Sequence, residues 1–420
     1  MKIIIHFLFF LVLIGPTNAL SSVWKDDKKW DDSWEQKYSN WVAGPEVTLD
    51  MFTDPQKKYY GITADCADAV YALRAIFSYE NGLPFSFVNP HFKKKTLFSN
   101  RTSTFNRVKK GPQRLKSFLN YIGIILSTYH LGKNDTYPVK IGHLRPGDLY
   151  IFQLKTRKMT LKHVMVIKSI NPNGTFNFLY SSQRIKRLNE AYFKGKGKGH
   201  ELMLKKNQDS LYSPQHAIRG FRRFINPKDM LSYPRNFKKN PSYWREHFKF
   251  SKKWGEKKFL LYIKKNILKK REDINLTLQR KLHDLCELSK QRIDAVNEAF
   301  DFLKNKKVKC LNYKEFDIHS TPMLDFIIKK HFHHLRYTWE SRKKEDISPQ
   351  ILNTLYSLFK KGEEDDYCPV EFLEGSPSLS FSHFYSRLSK GLLSYDPHEN
   401  KKRRWGEKKG PRQKSCKVFY

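Results

Sequence analysis

Cys66 is the residue whose type and position could most directly do chemistry in this chain. It opens residues 66–81, where apolar residues recur at helical spacing, so the sequence predicts an amphipathic helix. Residues 63–65 supply a cap before this helix and residues 81–82 supply a stop. In the first helical turn, unpaired backbone N–H groups and the helix dipole stabilise a thiolate. The predicted chemistry is therefore nucleophilic attack by the Cys66 sulfur.

His163 is the residue that the sequence offers as the base for this thiol. It begins the apolar part of a predicted strand, residues 161–170. Its imidazole would take the thiol proton, the sulfur would attack an acyl carbon, and the protonated histidine would return the proton to the leaving amine. A lone strand histidine is more often a satisfied polar residue, and sequence spacing does not show that the two side chains meet.

The other elements of this half predict antiparallel strands. Pro146-Gly147-Asp148 forms a turn, because proline fixes φ at its second position and glycine accepts the next one, and a strand follows over 149–154. A second turn at 171–174 leads into a strand over 175–180, and a further strand is predicted near 220–224. A nucleophile helix followed by antiparallel strands predicts an α+β fold.

The combined pattern resembles the NlpC-type papain-like hydrolases, which cleave bonds in bacterial cell-wall peptides, and the related cysteine amidohydrolases. Three pieces carry the resemblance in the family's chain order: Asp65-Cys66-Ala67-Asp68, Pro146-Gly147-Asp148-Leu149 and His163-Val164-Met165-Val166-Ile167. The resemblance covers about residues 56–185. It implies a papain-like domain, a nucleophile helix packed on an antiparallel sheet, in which Cys66 is the nucleophile and His163 the base.

The resemblance also implies a third polar group that orients the imidazole. Aligned strand by strand, this group falls at Tyr180, and Ser182 and Gln183 are close alternatives. The structural alternative is that Tyr180 is an ordinary aromatic residue of a strand. Where the family usually has Ser then Gly after Asp-Cys, this chain has Ala67 and Asp68. The added charge of Asp68 would raise the thiol pKa or orient a substrate amine, and the sequence leaves both open. The predicted substrate-binding residues are Asp65, Asp68, Ser182 and Gln183.

The net charge of the chain is extreme, at +38 over 420 residues. Such a charge predicts a polyanionic partner, namely an anionic cell-wall polymer, with nucleic acid or a membrane surface as alternatives. The alternative explanation of the charge is a lysine-rich proteome, in which every protein surface is basic. The spread of the lysines over the whole chain favours this alternative. No nucleic-acid motif frames the basic patches, and no cofactor fingerprint is present. His331, His333 and His334 predict a solvated helix face rather than a metal site.

Residues 1–19 predict a secretory signal peptide. Lys2 gives a positive start, residues 3–14 are apolar, and residues 17–19 offer small side chains for cleavage. No later run is long and apolar enough to span a membrane. We therefore expect an exported protein, periplasmic or extracellular.

The five cysteines fit this interpretation. Export makes disulfides feasible, and an odd number leaves at least one thiol unpaired. The four cysteines beyond residue 280 could form two bridges in any pairing, which leaves Cys66 alone in its own domain. Those four are Cys286, Cys310, Cys368 and Cys416.

Five regions follow from these patterns. They are a signal peptide (1–19), a Trp-rich N-terminal arm (20–55), a papain-like cysteine hydrolase domain (56–232), a basic helical domain (233–395) and a basic tail (396–420). The tryptophans of the arm could stack on sugar rings, but docking on its own domain is the favoured interpretation. The predicted function is an exported thiol hydrolase of amide bonds, with peptidoglycan peptides as substrate. The alternative is a catalytically inactive papain-like fold that binds anionic cell-wall polymer or nucleic acid.

Overall fold

The computed structural model of the chain is a mixed helical and antiparallel-sheet protein, which confirms the predicted α+β class. The residues that it describes are 22–92, 94–155, 160–181, 201–209, 218–234, 237, 239–244, 246, 255–306, 309–361, 367–368, 379–407 and 416–419. The predicted signal peptide, Ser182 and Gln183 lie outside them. Within these ranges, no helix combines the length and apolar character needed to cross a membrane.

The N-terminal half holds four α-helices in its described residues, and the second is the predicted one. They are α1 (Asp32–Ala43), α2 (Cys66–Asn81), α3 (Pro112–Ile125) and the single turn α4 (Thr128–His130). Helix α2 begins at Cys66 because the Asp65 side chain caps it, and it ends where Gly82 adopts a left-handed conformation. The sequence signals for both ends are therefore confirmed.

Eight strands form two antiparallel sheets in the part of the chain that the structure describes. They are β1 (Ser86–Val88), β2 (Leu97–Ser99), β3 (Thr136–Pro138), β4 (Leu149–Lys155), β5 (Thr160–Ile170), β6 (Phe176–Tyr180), β7 (Met203–Gln208) and β8 (Gly220–Phe224). Strands β1 and β2 pair with each other, and the main sheet has the order β3-β8-β4-β5-β6-β7. The four predicted strands are present as β4, β5, β6 and β8. Strands β1, β2, β3 and β7 were not predicted.

The turn before β4 shows why glycine stands at its centre. Gly147 has a φ of +87°, and a Cβ there would lie 2.8 Å from the ring of Tyr38. Only glycine accommodates both the backbone conformation and this close approach. The Gly147 N–H donates to the Ile167 carbonyl at 2.9 Å, which ties the turn to β5.

The two faces of the main sheet pack against different layers. Val164 and Val166 lie on the face that packs with α2 and α3, in a core that also takes in the N-terminal arm. The alternate residues Met165 and Ile167 lie on the opposite face, in a second core. Because successive strand residues point to opposite faces, residues 163–167 alternate between the two layers.

The second face is covered by the helical half of the chain. Its helices are α5 (Glu256–Ile267), α6 (Ile274–Lys306), α7 (Tyr313–His319), α8 (Pro322–Arg342), α9 (Pro349–Tyr356), α10 (Phe381–Ser389) and the short α11 (Lys401–Arg404). Phe259 and Ile263 of α5 share the second sheet core. Two disulfides, Cys286–Cys368 and Cys310–Cys416, hold this half and leave Cys66 free, as the cysteine count predicts. Trp405, assigned by sequence to the tail, is buried in the helical core.

The N-terminal arm docks on its own domain, which confirms the favoured interpretation. Trp30 is buried in the α2 core, and its ring lies 3.6 Å from the Arg74 guanidinium. Glu35 of α1 is also buried, and it forms ion pairs with Arg74 and Arg145. The arm is thus fixed to the sheet domain by a buried charge cluster as well as by apolar packing.

Candidate functional site

Cys66 occupies the first position of α2, and a capping box surrounds it. The Asp65 carboxylate accepts from the backbone N–H of Ala67 at 2.9 Å and of Asp68 at 3.2 Å. The Asp68 carboxylate in turn accepts from the Asp65 N–H at 3.2 Å. Two backbone donors at this end of the helix, the Ala67 and Asp68 N–H groups, are therefore already engaged by a carboxylate.

The Cys66 thiol is half-buried, and its pKa is raised to about 11. Burial is the main cause, and the negative charge of Asp65 raises the pKa further, with a smaller contribution from Asp68. The Thr128 hydroxyl, 3.5 Å from the sulfur, and the Val164 N–H oppose this shift without reversing it. The expected activated thiolate is thus not supported. Burial and the Asp65 charge raise the pKa of Asp68 itself to about 8, so its carboxyl is mostly neutral at pH 7 and adds least to the shift of the thiol.

His163 does not reach Cys66, so the predicted pair is not assembled in this structure. His163 lies opposite Phe152 in the β4–β5 register, on the face away from α2, whereas Val164 lies on the face of Cys66. The physical reason is the two-residue period of the strand, which places neighbours on opposite faces. Burial and the charge of Lys205 lower the pKa of His163 to about 4, so the imidazole is neutral at pH 7.

Tyr180 does lie beside His163, as the strand alignment predicted. Their ring centroids are 5.7 Å apart, in an edge-to-face arrangement. Tyr180 packs against the second sheet core, on the side of the sheet away from Cys66. The structure therefore brings Tyr180 and His163 together, and Asp65 and Asp68 to Cys66, but it separates the two groups by the sheet.

The surface next to Cys66 carries an exposed aromatic ring between two lysines. Thr128 leads into Tyr129, whose side chain is 40% exposed. The Lys133 Nζ lies 5.3 Å from the Tyr129 ring centroid, and the Lys162 Nζ lies 5.9 Å from it. Cations at this distance are attracted by the electron-rich ring face, so the ring holds two positive charges close together.

Arg219 adds a third positive charge beside Tyr129. It lines a hollow together with Tyr129, Gln153 and Lys162. Its Nε is buried and makes no hydrogen bond within the described residues, and burial lowers the pKa of the guanidinium. A buried donor without an acceptor is costly, and the hollow beside it, about 10 Å³, has room for no more than one water molecule. We call Tyr129, Lys133, Lys162 and Arg219 the Tyr129 surface.

The sequence did not identify the Tyr129 surface. Its residues come from the turn after α3, from β5 and from the segment before β8. Gly132 brings two of these segments together, because a Cβ there would lie 2.3 Å from the Ile218 carbonyl oxygen. The signal in the sequence was only a tyrosine four residues before a lysine, which many basic chains contain.

The three histidines of α8 are not all on a solvated face, contrary to the sequence prediction. His333 is exposed, but His331 and His334 are half-buried. The pKa of His331 is lowered to about 3 and that of His334 to about 4, mainly by burial. Across the described ranges, no group of three His, Cys, Asp or Glu side chains could hold a metal ion.

Comparisons of the chain with protein-family models, with curated proteins and with solved structures found no match. The functional argument therefore rests on the residues and their geometry.

Proposed function

We propose that this chain binds an anionic polymer through the Tyr129 surface and does not act as a thiol hydrolase. The observation that carries the proposal is the exposed Tyr129 ring, flanked by Lys133 and Lys162 with Arg219 beside it. Converging cations and an aromatic face suit a repeating anion such as a phosphodiester chain, because each anionic group pairs with a cation while apolar parts lie on the ring.

The charge of the whole chain supports the same proposal. At +38, it attracts a polyanion from a distance and adds contacts beyond the Tyr129 surface. An exported protein would meet anionic cell-wall polymers, and two disulfides suit an oxidising compartment. The proposal includes export, a papain-like scaffold and a cell-wall polymer as the ligand. The order of a helix followed by antiparallel strands supports the scaffold.

Thiol hydrolysis of amide bonds stays a prediction from the family resemblance. It would require His163 to reach Cys66 from the other face of the sheet, and it would require the thiol to ionise near neutral pH. The same geometry that disfavours hydrolysis is compatible with a papain-like fold that has become a binding protein. We therefore propose binding of an anionic polymer in preference to thiol hydrolysis.

Charge reversal in the Tyr129 surface tests the proposal. We expect Lys133→Glu with Lys162→Glu to weaken binding to fluorescently labelled polyphosphate about 10-fold or more at 0.1 M salt, because each change removes an attraction and adds a repulsion. The slope of log affinity against log salt should also become shallower by about 2. Fluorescence anisotropy over a salt series measures both quantities.

The matched control carries the same change of net charge elsewhere. Lys343 and Lys344 are exposed in the helical half, so Lys343→Glu with Lys344→Glu should weaken binding far less. Equal losses in the two double variants would mean that diffuse charge, not the Tyr129 surface, binds the polymer. Single-stranded DNA of equal charge, tested in parallel, would show whether nucleic acid is preferred.

A further inference from the structure

A second pocket lies at the junction of the sheet and the helical half. Its volume is about 520 Å³, and it is open to solvent. Pockets of this size commonly hold small organic ligands or single units of a polymer. Its walls come from the turn after β3, the segment at 240–246 and helix α5. None of the groups discussed for Cys66 or the Tyr129 surface lines it.

The fold builds this pocket by tying two segments of the chain together. Val139 pairs with Tyr243, the Lys140 N–H donates to Ser242 at 2.9 Å, and the Trp244 N–H donates to Pro138 at 3.0 Å. The space next to Gly142 in the pocket wall is open, because a Cβ built there would meet no atom within 4 Å. The pocket walls are therefore held by main-chain hydrogen bonds and not only by side chains.

The aromatic wall of the pocket is a stacked pair of rings. Trp244 and Tyr262 stack on each other, with centroids 5.6 Å apart and planes at 23°. Trp244 is only 5% exposed. Stacking covers one face of each ring, and Trp244 is nearly buried, so Tyr262 is the aromatic side chain that a ligand in the pocket would mainly meet.

The polar groups of the pocket are mixed and balanced in charge. Lys140 and Glu246 give one charge of each sign, and His143 contributes an imidazole whose Nδ1 lies 3.4 Å from the Ser242 hydroxyl. Asn266 adds an amide that donates to the Tyr262 carbonyl at 2.7 Å, which fixes its position. A lining with one charge of each sign favours a neutral ligand over an ion.

We propose that this pocket binds a neutral saccharide unit. A pyranose presents apolar C–H groups on one side and several hydroxyls around its edge. The C–H groups suit the aromatic wall, and the hydroxyls suit amide, imidazole, ammonium and carboxylate groups that can donate and accept. The inference is independent of the anionic-polymer proposal, because it uses other residues and an uncharged ligand.

Calorimetric titration of the full-length, disulfide-intact chain with chitotriose tests this inference. We expect binding at one site with a dissociation constant near or below about 1 mM. Asn266→Ala, at an exposed position that should not affect folding, and Tyr262→Ala should each weaken binding about 5-fold or more. Tyr129→Ala is the matched control: it should leave chitotriose binding unchanged and weaken polyphosphate binding.

Three outcomes would overturn the inference. They are no heat of binding with chitotriose at several times the expected constant, equal affinity in the wild type and the Asn266→Ala variant, or binding of adenosine in place of chitotriose. Loss of polyphosphate binding in Lys133→Glu with Lys162→Glu leaves the saccharide result unaffected, so failure of either proposal is recognisable separately.

Discussion

Iodoacetamide should modify Cys66 about 100-fold more slowly at pH 7.5 than an ordinary thiol. The thiolate is the reacting species, and a pKa of about 11 in place of 9.0 lowers its fraction by this factor at pH values below both. The rate should rise steadily with pH and show no plateau below pH 10. Mass spectrometry of the alkylated chain over a pH series measures this directly, because Cys66 is the free thiol among five cysteines that the structure describes.

Three controls identify the cause of this slow reaction. His163→Ala should leave the pH profile unchanged, because His163 lies on the other face of the sheet. Asp65→Asn keeps a good helix cap but removes the nearest negative charge, so the reaction should become faster. Unfolding in urea should restore ordinary reactivity. An inflection below pH 8.5 in the wild type that is lost in His163→Ala would instead establish the catalytic pair.

Glu35→Gln should lower the free energy of unfolding by about 3–5 kcal/mol, the usual cost of leaving a buried charge without its partner. Glu35 is 5% exposed, and it accepts hydrogen bonds from Trp30 Nε1 at 2.5 Å and from Arg74 and Arg145. With the carboxylate neutralised, the Arg74 guanidinium stays buried without its counter-charge. Urea unfolding followed by circular dichroism measures the loss.

The matched control for this prediction is Glu340→Gln. Glu340 forms an exposed ion pair with Arg336 at 2.8 Å, so its loss should change the free energy of unfolding by about 0.5 kcal/mol or less. Burial raises the pKa of Glu35, but Arg74 and Arg145 outweigh it, so that the pKa is lowered overall. The ion pairs therefore stabilise the fold above pH 4.5 and lose this contribution as the pH falls further. Equal urea midpoints for Glu35→Gln and Glu340→Gln would contradict the assignment of Glu35 to a stabilising buried ion pair.

Helix α2 could be predicted because its signals are local. Capping residues, apolar spacing and the terminal glycine all lie within residues 61–82, and each one depends on neighbours in the chain. The PGD turn and the hairpin before β6 were predictable for the same reason. Their glycines, Gly147 and Gly174, both have positive φ.

The face of His163 could not be predicted. Residues 164–167 are all apolar, so no alternation marks which face of β5 meets α2. Both faces are in fact buried, one by α2 and the other by α5. When both faces of a strand are covered, a shift of one residue exchanges the two sets without changing the hydrophobic pattern.

The Tyr129 surface and the 520 Å³ pocket were missed for a different reason. Each one joins short segments that are far apart in sequence, and the segments meet only through the sheet order. Neither site has a sequence period. A tyrosine, a lysine or an asparagine alone gives no sign of the neighbours that the fold will supply.

Incubation of the full-length chain with isolated bacterial cell walls tests the central claim most directly. Bound protein and newly released amino groups are measured in the same sample, for the wild type and for Cys66→Ala. We expect both proteins to bind equally, to dissociate as salt is raised, and to release no amino groups. Release of amino groups by the wild type that stops in Cys66→Ala would contradict the account and establish a thiol hydrolase.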